Sequence, residues 1–148
     1  MTLVLIEAIP LLLQAVCQVI ESKSDKKVSC SALNLHNLEA ILQEVQPDLL
    51  WLDTAIPEVR DGSAFQSIHR KHPHLKILLF GAGETVPEIR KYFKQGVCAY
   101  LPKTAGAADI ETALDYVAGG EIYVPASLNK AFTSWLTDPV RKKNWVVN

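Results

Sequence analysis

Three residues whose types suit phosphoryl chemistry stand directly after short apolar runs in this sequence. Asp53 ends the apolar run of residues 49–52, Glu7 follows the apolar residues 3–6, and Lys103 follows a Tyr-Leu-Pro sequence. A carboxylate attacks phosphorus as a nucleophile, acid oxygens are the ligands that Mg²⁺ prefers, and an ammonium group offsets charge on phosphoryl oxygens. The three residue types predict a phosphoryl-transfer site with Asp53 as nucleophile, if one fold brings them together.

The alternation of apolar runs with helical periodicity predicts such a fold. Short apolar runs, each expected to form a strand, occur at residues 3–6, 48–53, 75–80 and 97–101, and residues 26–31 are expected to form a short, weaker strand. Helical patterns follow them at residues 10–22, 34–46, 63–71, 84–95 and 106–118. Strand-helix alternation with right-handed crossovers predicts an α/β fold, a doubly wound parallel sheet with helices on both faces. Function in such sheets lies at the carboxyl ends of the strands, where Glu7, Asp53, Gly81 and Lys103 fall.

Local signals refine these boundaries. Pro10 is expected to open the first helix, since proline is tolerated in a first helical turn. Asn34 is expected to cap the second helix, and Gly96 is expected to close the fourth. The segment from Pro57 to Gly62 is predicted to be a loop.

The end of the chain predicts a further helix and a tail. Residues 121–125 are expected to be extended, and residues 126–136 to form a helix with Leu128, Phe132 and Trp135 on its apolar face. We therefore divide the chain into a domain of residues 1–125 and a C-terminal helix and tail of residues 126–148. So short a tail cannot form a complete DNA-reading domain.

Bulk composition narrows the function classes. The chain has 148 residues and a net charge of -1, which gives no electrostatic attraction to nucleic acid or membrane. Glu7 and Pro10 interrupt the apolar N-terminus and no basic residue precedes it, which argues against a signal peptide or a membrane span and makes a cytoplasmic location the default. The widely spaced cysteines at positions 17, 30 and 98 are predicted to be reduced and mostly buried. Three histidines at positions 69, 72 and 74 are expected to be exposed rather than metal-binding.

Five sequence blocks carry a resemblance to a known family. They are Pro-Asp-Leu-Leu-Trp-Leu-Asp at 47–53, the Pro57 and Asp61-Gly62 loop, His-Pro-His-Leu-Lys-Ile-Leu-Leu at 72–79, Gly-Val-Cys-Ala-Tyr-Leu-Pro-Lys at 96–103 and Ala-Gly-Gly-Glu-Ile-Tyr at 118–123. Over residues 3–125 the chain resembles the response-regulator receiver family, which is CheY-like in fold. The last block resembles the NarL-type receivers that precede a LuxR-like helix-turn-helix domain.

The resemblance implies a fold, a site and partners. It implies five strands in the order 2-1-3-4-5, Asp53 as phosphoacceptor and Lys103 as the residue that contacts the phosphoryl group. It implies that Mg²⁺ is held by Glu7, Asp53 and the backbone carbonyl of Ala55. It places Gly81 and Tyr100 at the family's two switch positions. These are the hydroxyl position after the fourth strand and the aromatic position whose side chain rotates on phosphorylation. The implied phosphodonor is a histidine kinase or a small molecule, and DNA is reached only through an output domain that these residues do not contain.

Two departures from the family pattern concern the site. The family usually carries two acids after the first strand, whereas this chain has Glu7 and Ala8, so the acid pair for Mg²⁺ is incomplete. The family's hydroxyl residue after the fourth strand is replaced by Gly81, which cannot bond a phosphoryl group. Each acid therefore has a second interpretation. For Asp53 it is a cap close to a helix, and for Glu7 it is an ion pair with Lys103 that holds the empty site closed.

Three function hypotheses follow. The first is a receiver, not an enzyme in its own right, that accepts a phosphoryl group on Asp53. The second is a phosphorylation-independent pseudo-receiver that acts as an interaction or dimerisation module, with the homodimer formed by the face of the fourth helix, fifth strand and fifth helix. Its expected members are Val86, Ile89, Tyr92, Phe93, Tyr100 and Tyr116. The third, a nucleotide binder or small enzyme, is disfavoured because residues 7–10 lack the glycines and lysine of a phosphate loop.

Overall fold

The computed structural model describes the backbone of residues 1–136, without the side chains of residues 131 and 133–136. Five parallel strands form one sheet in the order β2-β1-β3-β4-β5, which confirms the predicted fold class and strand order. The strands are β1 Thr2–Ile6, β2 Lys27–Ala32, β3 Leu49–Asp53, β4 Lys76–Gly81 and β5 Ala99–Pro102. The helices are α1 Pro10–Glu21, α2 Leu38–Val45, α3 Pro57–Arg60, α4 Ser63–Lys71, α5 Val86–Lys94, α6 Ala107–Ala118 and α7 Ala126–Leu136.

The three central strands are buried on both faces because helices cover the sheet on both sides. Successive side chains of a strand point to opposite faces, and in β3 Leu49 and Trp51 enter one apolar cluster while Leu50 and Leu52 enter the other. This double burial explains why β3 is apolar throughout instead of alternating with polar residues. The helices α1 and α6 pack on the face of Trp51, and the helices α2, α4 and α5 pack on the face of Leu52.

The carboxyl ends of β1, β3, β4 and β5 lie together at one edge of the sheet. Parallel pairing sets Ile6 beside Leu52, Asp53 beside Phe80, and Gly81 beside Pro102. Consequently Glu7, Asp53, Gly81 and Lys103 meet at this edge, as the sequence predicts.

Two local predictions are wrong. The side chain of Asn34 does not cap a helix, because its Oδ1 accepts a hydrogen bond from the backbone N–H of His36 at 2.8 Å in a turn. The helix α2 begins only at Leu38, after Asn37 in the left-handed region at φ 64°. The predicted loop from Pro57 to Gly62 contains the short helix α3, which the burial of Val59 holds against the core.

The predicted C-terminal helix is confirmed as α7, and it packs on the body of the molecule. Phe132 is fully buried, and its ring lies 5.5 Å from the ring of Phe93 on α5 in an edge-on arrangement. Leu128 packs against the same apolar cluster. The Trp135 side chain and the tail of residues 137–148 lie outside the described part of the chain, and the domain boundary at residue 125 stays a prediction.

The cysteines and histidines differ partly from expectation. Cys17, Cys30 and Cys98 are free thiols, as predicted, but all three are half-buried instead of mostly buried. His69 and His72 are also half-buried, and the His72 Nε2 lies 3.0 Å from the Glu39 carboxylate on α2. Over residues 1–136, no helix has the length and apolar character that a bilayer crossing requires.

Candidate acid site at the carboxyl edge of the sheet

The side chains of Glu7, Asp53 and Lys103 meet in one cluster. Glu7 directly follows β1, Asp53 ends β3, and Lys103 directly follows β5, where its backbone N–H donates to the Gly81 carbonyl at 2.7 Å. The Lys103 Nζ lies 2.7 Å from Asp53 Oδ1 and 3.1 Å from Glu7 Oε1. Both acid side chains have no exposed surface. The contact between Glu7 and Lys103, which one of the two alternatives open from the sequence requires, is therefore present.

The Asp53 carboxylate is surrounded by hydrogen-bond donors. Its Oδ1 accepts from the Ala55 backbone N–H at 2.8 Å and its Oδ2 accepts from the Ala8 backbone N–H at 3.1 Å. Burial raises the pKa of a carboxyl group, but hydrogen bonds from Glu7, Lys103 and the two backbone N–H groups outweigh it and hold the pKa of Asp53 below its usual value. Asp53 is thus the ionised member of the acid pair.

Glu7 is the member of the pair whose pKa is raised. Burial, followed by its hydrogen bond with Asp53, raises the pKa of Glu7, and the Ile9 backbone N–H and Lys103 oppose this rise only in part. Burial lowers the pKa of Lys103, but its bonds to Asp53 and Glu7 reverse the effect and raise it. The opposite pKa shifts favour the charge on Asp53 over a charge on Glu7, and the Lys103 ammonium group offsets that charge, which limits the cost of burying it.

The residues present do not fit a Mg²⁺ site. The position between the two acids that a cation would take is held by the Lys103 ammonium group, and Ala8 supplies no side-chain oxygen. Metal ligands must be deprotonated, and the raised pKa of Glu7 opposes its deprotonation. Among residues 1–136, no three His, Cys, Asp or Glu side chains gather as a possible metal site. The role of the Ala55 carbonyl as a metal ligand stays a prediction.

The two predicted switch residues are joined by a side chain that the sequence analysis missed. Above Gly81, the space that a Cβ atom would occupy is filled by the Glu84 carboxylate and by Thr54 Oγ1. The hydroxyl of Thr54 donates to Glu84 Oε1, and the hydroxyl of Tyr100 donates to Glu84 Oε2 at 2.5 Å. The available signal was a hydroxyl next to Asp53 together with an acid just after the Gly81-Ala82-Gly83 loop.

A cleft of about 230 Å³ opens beside the acid cluster. Its polar and charged lining comes from Thr54, Arg60, Glu84, Glu88 and Lys103. Positively and negatively charged side chains therefore both line the cleft. Lys103 belongs to this lining and also to the buried cluster with Glu7 and Asp53.

The expected dimer face is not an exposed apolar surface. Ile89, Tyr92, Phe93 and Tyr100 are each at most 5% exposed and belong to the core of the single chain. Phe132 of α7 lies over Phe93. Of the six residues predicted for this face, Tyr116 is exposed and Val86 is half-buried. An apolar helical stripe has the same sequence pattern on a surface as in a core, and the packing of α7 against α5 could not be foreseen from the sequence.

Comparison with known proteins identifies the scaffold. The model of the family described as "Response regulator receiver domain" matches residues 3–115. The chain is 25% identical over 135 residues to the nitrate/nitrite response regulator protein NarL of Escherichia coli strain K12, covering 91% of this chain and 62% of that protein. It is 27% identical over 82 residues to the response regulator GacA of Pseudomonas viridiflava, covering 55% of this chain and 38% of that protein.

Solved structures agree on the fold. The crystal structure of a LuxR-family two-component response regulator from Aurantimonas sp. superposes with a TM-score of 0.81 at 18% identity, covering 93% of this chain and 98% of that one. The predicted resemblance to receivers of the NarL type is confirmed by these matches. The chain spans 62% of the length of NarL and 38% of the length of GacA. The activities of these whole proteins are therefore not assigned to it.

Proposed function

This chain belongs to the response regulator receiver domain family, and from that premise we propose that it is a two-component signalling module that acts through protein contacts without a phosphoryl group on Asp53. Receiver domains are generally signalling modules rather than enzymes, they interact with histidine kinases, and they typically bind Mg²⁺ in an acidic pocket. In this proposal the chain retains the receiver scaffold, and its own Lys103 ammonium group occupies the acidic pocket.

The observation that supports this proposal is the Lys103 ammonium group between two buried carboxyl groups. Lys103 Nζ is 2.7 Å from Asp53 and 3.1 Å from Glu7, and Asp53 has no exposed surface. Mg²⁺ would have to displace an ammonium group that is covalently tethered to β5. A phosphodonor would have to displace hydrogen bonds that already engage both oxygens of Asp53.

Phosphorylation of Asp53 by a histidine kinase, with Mg²⁺ beside it, is the second candidate function. The lowered pKa of Asp53 favours it, because the carboxyl group stays ionised and therefore nucleophilic. The cleft beside Lys103 and Ala55 also favours it, because it would give a donor access to this edge of the sheet. The kinase partner, an output domain that binds DNA, a homodimer and a cytoplasmic location remain predictions from the family resemblance.

Intact mass after incubation with acetyl phosphate and Mg²⁺ separates the two candidates. We expect the wild-type chain to gain no phosphoryl group under conditions that label a conventional receiver. The double variant Glu7→Asp with Ala8→Asp restores the usual acid pair, and we expect it to gain one phosphoryl group. Asp53→Ala in that background is the matched control and must abolish the gain.

Labelling of the wild-type chain, lost in Asp53→Ala, would overturn the phosphorylation-independent proposal and establish the second candidate. A restored acid pair that still takes up nothing would show that Ala8 is not the reason for inactivity. The next variant would then be Gly81→Ser, which supplies the missing hydroxyl.

A further inference from the structure

The side chain of Glu84 occupies a space that other residues at position 81 would fill. A Cβ atom on Gly81 would lie 2.5 and 2.7 Å from the two Glu84 carboxylate oxygens and 2.6 Å from Thr54 Oγ1. All three distances are shorter than real Cβ contacts. Gly81 therefore makes room for Glu84, and the glycine and the glutamate form one structural unit.

Glu84 connects two different strands of the sheet. Thr54, next to Asp53 at the end of β3, donates to one carboxylate oxygen, and Tyr100 of β5 donates to the other at 2.5 Å. Thr54 is itself fixed, since its backbone N–H donates to the Phe80 carbonyl at 3.1 Å. Hydrogen bonds to an ionised carboxylate are about twice as strong as neutral ones. The carboxylate thus joins the strand that carries the acid cluster to the strand that carries Tyr100.

Tyr100 is held inside the molecule at the other end of this connection. The residue is 3% exposed and belongs to the apolar cluster that also contains Tyr92 and Phe93. Burial, followed by the hydrogen bond to Glu84, raises the pKa of the Tyr100 hydroxyl above its usual value. A buried hydroxyl without a partner would carry a desolvation cost, and Glu84 removes that cost.

We propose that Glu84 is a positioning residue that latches Tyr100 in its buried orientation and couples it to Thr54 beside the acid cluster, with no group on Asp53 required. The latch depends on Gly81, because any side chain there would expel the Glu84 carboxylate. It fixes the surface around β5 and the start of α5 in one state.

Nitration by tetranitromethane, mapped by peptide mass spectrometry, tests the latch in the intact chain. Tyr116 is 45% exposed and serves as the reactive reference, while Tyr92 is 5% exposed and reports on the fold. In the wild type we expect Tyr100 to react at least about tenfold more slowly than Tyr116. Glu84→Ala removes both bonds, and we expect Tyr100 in that variant to approach the rate of Tyr116 while Tyr92 stays protected.

Two further variants sharpen the test. Gly81→Ala leaves Glu84 in the sequence but fills its space, so we expect it to release Tyr100 as Glu84→Ala does. Glu88→Ala is the matched control, because Glu88 lines the same cleft and bonds Thr85 but has no bond to Tyr100. Protection of Tyr100 is expected to survive in Glu88→Ala.

Either of two results would overturn the proposal. One is a wild-type Tyr100 that reacts as fast as Tyr116, and the other is a Tyr100 that stays protected in both Glu84→Ala and Gly81→Ala. Should Glu84→Ala expose Tyr92 as well, the variant has lost its fold, and Glu84→Gln decides instead. The amide retains one acceptor oxygen, so an intermediate rate at Tyr100 with Tyr92 protected supports the latch, and a wild-type rate contradicts it.

Discussion

At the scale of single residues, the acid site is a problem of charge balance. Two carboxyl groups without exposed surface cannot both be ionised beside one ammonium group without leaving a buried net charge. The pKa values of Glu7 and Asp53 shift in opposite directions, which reduces this problem because it favours the proton on Glu7 and the charge on Asp53. The contact of Glu7 with Lys103 was one of the alternatives open from the sequence, but the opposite pKa shifts of the two acids could not be foreseen from it.

Replacing Glu7 by glutamine tests that distribution through stability. The pKa of Glu7 is raised above its ordinary 4.5, so the folded chain keeps a proton that the unfolded chain has lost. Stability from this group is complete below pH 4.5 and declines as pH rises through the folded-state pKa. Glutamine cannot ionise and still donates to Asp53. We expect Glu7→Gln to be more stable than the wild type near about pH 8, by about 1.4 kcal/mol per unit of pKa rise.

Urea unfolding between about pH 4.5 and about pH 8 measures this difference. Asp53 does not contribute to the pH dependence in this range. Its pKa is lowered, so the stability that it contributes is present above pH 3.8 and is lost only as the pH falls below that value. Glu39→Gln is the control in which we expect the opposite change, a loss of stability. Burial raises the pKa of Glu39, but its bonds to His72 and Gln43 outweigh burial and lower it. Parallel pH profiles for wild type and Glu7→Gln would contradict a raised pKa of Glu7.

At the scale of elements, the strands were the most predictable part of the chain. An apolar run of four or five residues bounded by polar residues suits a strand with two covered faces, and β3 and β4 follow this rule. Less predictable were α3 and the start of α2, where packing decides. The four residues of α3 are too few for helical periodicity to show, and Val59 is buried only because the folded core receives it.

Truncating Phe132 tests whether α7 belongs to the body of the molecule. Its ring is fully buried against Phe93, and the Arg90 guanidinium lies 5.9 Å from the ring centre. We expect Phe132→Ala to cost about 3 kcal/mol of unfolding free energy. Hydrogen exchange is the sharper measurement, and we expect faster exchange in α7 and α5 while β1 and β3 keep their protection.

Leu128→Ala is the matched control on the same helix, since Leu128 is only half-buried. We expect it to lose clearly less stability than Phe132→Ala. Equal effects of the two variants, or unchanged exchange in α7 after truncation of Phe132, would show that α7 is not anchored by this ring.

At the scale of the whole molecule, one sheet separates two apolar clusters, and residues 49–52 of β3 contribute alternately to one and the other. Trp51 is the largest side chain of its cluster and lies 5.0 Å from the ring of Phe80. In the described part of the chain its indole Nε1 has no hydrogen-bond partner. Such an unpaired buried donor costs free energy, so the tryptophan is kept for its volume.

We therefore expect Trp51→Phe and Trp51→Ala to differ strongly. Phenylalanine keeps an aromatic ring and removes the unpaired donor, so we expect a loss below about 1.5 kcal/mol. Alanine leaves a cavity between β3 and the helices α1 and α6, with an expected loss of about 3 to 5 kcal/mol. Chemical denaturation of both variants gives the free energies, and similar losses for both would mean that the indole nitrogen has a stabilising partner after all.

What the sequence determined by itself was the scaffold and the position of its reactive edge. The periodicity of apolar residues is a local property of the chain, and right-handed connections convert it into one doubly wound sheet. Asp53, Glu7 and Lys103 could therefore be placed at one edge by their positions after strands. Tertiary structure alone decided that Lys103 lies between the acids, that Glu84 fills the space above Gly81, and that α7 covers Phe93. The partners of Lys103, the bonds of Glu84 to Thr54 and Tyr100, and the contact of Phe132 with Phe93 join residues well separated in sequence. Their existence depends on distances of a few ångströms that no periodicity encodes.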